Sequence, residues 1–145
     1  MSTDAQAFDA AVARIRAGAQ APDEARALYD ALTEDERLLL LDGDTPFWAG
    51  MHGIFFEGYN LRPYPMGAVA RLGIPGLLFV DGPRGVVVGR STAFPVSMAR
   101  GATWDVDLEE RVGRAIGAEL RAQGGNFFGG VCINLPRHTA CGRVQ

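Results

Sequence analysis

Four consecutive apolar residues, Leu77-Leu78-Phe79-Val80, stand between Pro75-Gly76 and the turn-forming run Asp81-Gly82-Pro83-Arg84-Gly85. A run this short, without polar alternation, predicts a strand covered on both faces, as in a parallel sheet. A parallel neighbour requires a crossover of a dozen residues or more, usually a helix. Residues 105–123 supply one. Asp105 is placed to cap it, Asp107, Glu109 and Glu110 fill the first turn, and Arg114 and Arg121 follow, an order that complements the helix dipole. Leu108, Val112, Ala115, Ile116 and Leu120 make one apolar stripe, and Gly124-Gly125 ends the helix. Residues 126–135 then predict a second buried strand, interrupted at Gly129-Gly130 and closed by Pro136. Strand, helix and strand form a βαβ unit, for which a right-handed crossover is expected.

Upstream, Phe8, Val12 and Ile15 recur at helical spacing and Gly18 can end that helix. Pro22 suits the first turn of a second helix reaching Leu32. Residues 1–32 therefore read as a short helical N-terminal extension, with residues 33–145 as the main domain. Thr33 and Glu36 have the capping-box spacing ahead of Leu38–Leu41, and Gly43 closes that segment. Residues 44–73 hold Phe47, Trp48, Phe55, Phe56, Tyr59 and Tyr64 but no period, and predict a long ordered loop.

Composition narrows the function classes. The length, 145 residues, is that of one ordinary domain, and 19 glycines favour a loop-rich α/β architecture over a helical bundle. Net charge is −3 and the arginines form no cluster, which argues against a nucleic acid or a membrane surface as partner. No lysine is present, so none can act as a base or form a Schiff base. The first ten residues are acidic and lack the apolar core of a secretory signal, and no apolar run approaches the ~20 residues of a membrane span, so a cytoplasmic location is expected. Cys132 and Cys141 then read as free thiols. Two cysteines without histidines at ligand spacing make a poor zinc site, and no metal or cofactor is expected.

Functional groups in parallel α/β folds gather at the carboxyl ends of strands. Asp81 follows the first predicted strand and Arg137 the second. A carboxylate accepting from neighbouring hydroxyls and an arginine donating through its planar fork suit a sugar ring. The plainer alternative is that Asp81 caps its own turn and Arg137 pairs with a surface carboxylate. His52 and His138 are loop histidines without an identified partner. Trp48 and Trp104 could stack on a sugar or simply bury area, and Glu57 and Asp44 are unpaired acid–base candidates. No phosphate-cradling loop occurs, which weighs against a nucleotide-binding domain.

Four blocks in order resemble family-three glycoside hydrolases of the bacterial β-glucosidase type. Residues 33–43 resemble the family's opening Leu-Thr-x-x-Glu-Lys helix. Arg71-Leu-Gly-Ile-Pro-Gly-Leu-Leu-Phe-Val-Asp-Gly-Pro-Arg-Gly-Val86 resembles its first barrel strand. Phe94-Pro95 through Ala102-Thr103-Trp104-Asp105 resembles its Phe-Pro…Ala-Thr-Trp-Asp segment, and Asn134–Arg143 its Asn-Ile-x-Arg-x-Pro-x-x-Gly-Arg motif. The resemblance covers residues 33–145. It implies a partial TIM-like (β/α) barrel with parallel strands, retaining hydrolysis of a β-linked glucoside or oligosaccharide, and no cofactor. Asp81 and Arg137 match sugar-binding residues of the −1 subsite. Val87 stands where many members carry an arginine, and Arg90, in the same loop, is the candidate replacement; His138 is a further candidate contact. Thr139 and Cys141 also depart from the pattern. The family's nucleophilic aspartate and general-acid glutamate lie beyond the matched blocks. The chain is thus expected to be an incomplete N-terminal portion carrying no catalytic residue, and inactive alone. The alternative is a non-catalytic remnant that binds sugar weakly or serves as an interaction module. The particular sugar and the oligomeric state are not legible.

Overall fold

A computed structural model describes residues 6–58, 60–132, 134–135, 137–140 and 142. Helices α1 (Ala7–Arg16) and α2 (Ala21–Asp30) open the chain, followed by α3 (Glu34–Leu39) and α4 (Phe47–His52). A single π-helical turn (Gly53–Glu57), β1 (Tyr64–Met66) and a 3₁₀ turn (Ala70–Leu72) lead to β2 (Leu77–Val80). Then come α5 (Ser97–Gly101), α6 (Val106–Ala122) and β3 (Phe127–Phe128). The result is an α/β fold whose small sheet has the strand order β1-β2-β3. Two compact units make it up, Met1–Met51 with Pro65–Leu77, and His52–Tyr64 with Leu78–Gln145.

In the first unit, Pro22 sits in the opening turn of α2 and Asp23 and Glu24 follow it. Arg14, in the last turn of α1, grips Glu24 with a 2.6 Å ion pair, so each charge lies at the helix end whose dipole favours it. Thr33 and Glu36 form the expected capping box, with Thr33 Oγ1 accepting from the Glu36 amide at 3.3 Å and Glu36 Oε2 accepting from the Thr33 amide at 2.9 Å. Glu36 also accepts from Arg71 through both oxygens, at 2.9 and 2.6 Å, while Arg71 donates to the Ala31 carbonyl. The Arg71 guanidinium and then the Thr33 amide hold the Glu36 carboxyl at about 2. Leu32, Val69 and Leu72 form this unit's buried cluster, with Ala7, Leu40 and Ile74 packed against it.

Residues 44–73 are more regular than the sequence predicts. The Pro46 carbonyl accepts from the Gly50 amide at 2.9 Å and starts α4. The segment has no legible period because Phe47, Trp48, Phe55 and Phe56 are all exposed. Apolar periodicity records a face turned to a core, and these rings face none.

In the second unit, β2 and β3 pair in parallel with Phe79 opposite Phe127 and Val80 opposite Phe128, as expected for a βαβ unit. Asp105 caps α6 by accepting from the Leu108 amide at 2.8 Å. The predicted stripe holds: Val112 and Ile116 are buried with Val80, Val86 and Val88, and Leu108, Leu120, Phe94 and Phe128 pack around them. Arg111, Arg114 and Arg121 point to solvent. The second strand is shorter than the predicted 126–135. The Gly129 amide still donates to the Val80 carbonyl at 2.9 Å, but beyond Val80 the partner turns away at Asp81-Gly82, so residues past Phe128 have no strand to pair with. Ile133 and Pro136, within and after that predicted strand, lie outside the described residues.

Candidate functional site

The site grows from the end of β2. Val80 is fully buried and fixes the strand in the core, so the next residue emerges at its carboxyl end. Asp81 does so, with its side chain exposed. Asp81 Oδ1 accepts from the Gly82 amide at 2.8 Å and the Asp81 carbonyl accepts from the Val87 amide at 3.3 Å. One oxygen therefore serves the turn, as the plainer alternative holds. Oδ2 accepts no hydrogen bond among the described residues.

The turn itself depends on glycine. Gly82 has φ +136° and Gly85 φ +125°, a region L side chains rarely enter. A methyl group at Gly82 would lie 1.8 Å from the Gly85 carbonyl oxygen, and one at Gly85 2.3 Å from the Thr92 carbonyl oxygen. Val86 and Val88 anchor the far side in the core. Arg84 and Phe94 strap the loop across its middle: the Phe94 amide donates to the Arg84 carbonyl at 2.7 Å, and Arg84 Nε donates back to the Phe94 carbonyl at 3.1 Å.

Glu119 on α6 and Gln123, the residue that caps its C-terminal end, hold the same loop. Glu119 accepts from the Thr92 amide through Oε2 at 2.9 Å and from the Thr92 hydroxyl through Oε1 at 2.6 Å. The hydroxyl, then the amide, keeps the Glu119 carboxyl below its ordinary range. Gln123 Nε2 donates to the Arg90 carbonyl at 2.9 Å. Neither residue stands out in the apolar stripe, yet both occupy its face: positions 119 and 123 follow Val112 and Ile116 at helical spacing. Polar side chains on a core-facing stripe were the available signal.

Arg90 is exposed in this loop and held by its backbone. Arg137 is exposed too, nine residues after the end of β3, with its amide donating to the Leu135 carbonyl at 2.8 Å. It does not follow the strand directly, because the strand ends early. His138 is exposed, and its Nδ1 accepts from the Ala140 amide at 3.1 Å. No hydrogen bond or ion pair joins Asp81 to Arg90, Arg137 or His138 among the described residues. A cavity of about 670 Å³ lies beside the turn, lined by Pro83, Met98, Trp104, Ile116, Phe128 and Asn134 among others, and none of the four predicted binding residues lines it.

The remaining candidates divide clearly. Asp44 is structural: its two oxygens accept from the Gly67 and Ala68 amides at 2.7 and 3.0 Å. His52 Nδ1 lies 3.9 Å from Glu57 Oε1, with its ring on Phe56, on an exposed surface. Trp48 and Trp104 bury little area, at 81% and 92% exposure, and Trp104 has φ +56°. Cys132 is a free, half-buried thiol, and Cys141 lies outside the described residues. Among the described residues no group of three His, Cys, Asp or Glu side chains could hold a metal, and no helix is long and apolar enough to cross a membrane.

In open α/β sheets ligands bind outside the carboxyl ends of the strands, and Asp81 stands at such an end. The chain is 32% identical over 123 residues, 80% of its length, to a β-glucosidase of Rhizobium radiobacter. It is 35% identical over 88 residues to thermostable β-glucosidase B of Acetivibrio thermocellus, and 43% identical over 82 residues to a probable β-glucosidase I of Neosartorya fischeri, each covering 52% of the chain. The chain spans 13%, 12% and 10% of the lengths of these relatives. No family model and no solved structure matches it.

Proposed function

We propose that residues 33–145 are the first part of the barrel domain of a family-three glycoside hydrolase, and that they contribute part of its −1 sugar subsite. The observation that carries this is the similarity to the Rhizobium radiobacter β-glucosidase across 80% of the chain, together with Asp81 standing at the carboxyl end of a parallel strand. Asp81 accepts from sugar hydroxyls through the oxygen its turn leaves open, and charge makes each such bond stronger than a neutral one. Arg137 donates to the same ring through its fork, and Arg90 and His138 are further contacts from neighbouring loops. The substrate is a β-linked glucoside. The reaction is retaining hydrolysis through a glycosyl–enzyme intermediate, with nucleophile and acid about 5 to 5.5 Å apart. By the family resemblance neither group has a counterpart in residues 1–145, so this chain grips the sugar and leaves bond cleavage to other residues.

The test replaces the matched stretch of the Rhizobium radiobacter enzyme with that of this chain and assays aryl β-glucosides. The hybrid should turn over, and Asp81→Ala in it should lower kcat/KM at least ~10²-fold, about 3 kcal/mol of transition-state binding. Residues 1–145 alone should show no turnover. A folded hybrid in which Asp81→Ala keeps a near-native rate would reduce Asp81 to a turn cap and remove the sugar subsite from this chain.

A further inference from the structure

We propose that Glu119 is the positioning residue for Asp81: from α6 it clamps Thr92, and through Thr92 it fixes the glycine turn that aims the Asp81 carboxylate. The ligand of that carboxylate rests on the sugar-binding reading above; the clamp itself stands on geometry alone.

The chain of contacts is continuous. Glu119 takes both the amide and the hydroxyl of Thr92, at 2.9 and 2.6 Å, and so fixes the peptide plane and the side-chain rotamer together. The carbonyl of the same Thr92 lies against Gly85, so near that a methyl there would come within 2.3 Å of it. The Gly85 amide donates to the Gly82 carbonyl at 3.2 Å, and the Gly82 amide donates to Asp81 Oδ1 at 2.8 Å. Displacing Thr92 opens the space that holds Gly85. The Gly82 amide then loses its orientation, and with it the bond that sets the Asp81 carboxylate. Arg84 and Phe94 tie the same segment two residues beyond Thr92, so the loop moves as one piece.

Helix stability does not explain a glutamate at this position. Residue 119 lies in the last turn of α6, which ends at Ala122, where the dipole disfavours negative charge. The side chain also occupies the core-facing stripe, where an apolar residue would add burial. A carboxylate opposed by both effects is accounted for by what it holds.

The experiment uses the ¹⁵N-labelled chain, residues 1–145, as wild type, Glu119→Ala, Glu119→Gln and Thr92→Val, titrated with methyl β-glucoside. Glu119→Ala should shift the Gly82 and Gly85 amide resonances, speed hydrogen exchange at the Val87 and Phe94 amides at least ~10-fold, and weaken glucoside binding by a similar factor. Glu119→Gln should restore all three, because its carbonyl oxygen accepts from the Thr92 amide and its amide donates to the Thr92 hydroxyl. Thr92→Val removes only the hydroxyl bond and should shift the same resonances by a smaller amount, which keeps the test open if Glu119→Ala fails to fold. Unchanged Gly82 and Gly85 resonances in Glu119→Ala and Thr92→Val would overturn the proposal. So would equal glucoside affinity in wild type and Glu119→Ala, which would leave the sugar-binding reading intact. If wild type binds no glucoside while Glu119→Ala still moves the turn and Glu119→Gln restores it, the clamp is upheld and the sugar reading is what fails.

Discussion

Val112→Asp puts a charge into the centre of the second unit's core. Val112 is 8% exposed among Val80, Val86, Val88 and Ile116, with Phe94, Leu108, Leu120 and Phe128 around them, and every member of the cluster is apolar. The loss has two parts. Removing the isopropyl group forfeits about 2 kcal/mol of burial and packing. The new carboxyl cannot remain ionised there, so at neutral pH it takes up a proton; moving its pKa from ~3.9 to ~7 adds about 4 kcal/mol at 1.36 kcal/mol per unit. The sum, about 6 kcal/mol, approaches or exceeds the whole stability of many domains, which runs from ~5 to ~15 kcal/mol. The sign with pH follows. The folded pKa is raised, so the charge penalty is absent below the unfolded value of ~3.9 and grows as pH rises through it. Urea denaturation followed by the helical circular dichroism signal, at pH 4 and pH 7, reads both parts. Val112→Ala should lose about 2 kcal/mol at either pH, and Val112→Asp should match it near pH 4 and fall far below it at pH 7. Equal midpoints for the two variants at pH 7 would show that residue 112 reaches water and that α6 does not pack as described.

Gly82→Ala forces a methyl to within 1.8 Å of the Gly85 carbonyl oxygen at a φ of +136° and should cost about 2–3 kcal/mol. Gly101→Ala, with nothing within 4 Å of the new methyl, should be neutral, and the two thermal midpoints compare directly. The Glu36 carboxyl, held at about 2 by Arg71 and the Thr33 amide, has a depressed folded pKa. Its contribution is therefore complete above ~4.5 and disappears as pH falls through about 2. Arg71→Ala should flatten the dependence of the urea midpoint on pH across that window, and an unaltered slope would count against the ion pair.

What the sequence revealed and what it hid follow from how each element is held. The capping box at Thr33 and the cap at Asp105 are local contacts within one turn, so their spacing alone locates them. The α6 stripe was legible because one continuous core faces it. The helix at Phe47–His52 was hidden because its rings face solvent and leave no period. The early end of β3 was hidden for a different reason: the length of a strand is set by its partner, and the partner turns at Asp81, far away in sequence. The same limit applied at the site. Asp81 was visible because it follows an unmistakable strand. Arg137 was placed at the end of a strand that stops at Phe128, and the Glu119–Thr92 clamp joins residues 27 apart, for which no local spacing rule exists.

The structure also separates the carboxylate that would bind from the groups that hold its place. The Asp81 side chain is exposed and, among the described residues, makes one hydrogen bond, to the adjacent amide. Deleting it removes no core contact but leaves the amide of the buried Gly82 without this acceptor, a loss of about 1 kcal/mol or more. The geometry resides elsewhere: in Val80 beneath, in two glycines at positive φ, and in a glutamate on α6. Asp81→Asn keeps an acceptor for the Gly82 amide, so a loss of function in that variant can be read as lost charge. An equal loss in Gly82→Ala or Glu119→Ala must first be corrected for a displaced turn. The conserving change Glu119→Gln makes that correction, since it retains the two-point grip while removing the charge. If Glu119→Gln binds like wild type and Asp81→Asn does not, the negative charge the site requires is that of Asp81, and Glu119 contributes only the shape of its hydrogen bonds.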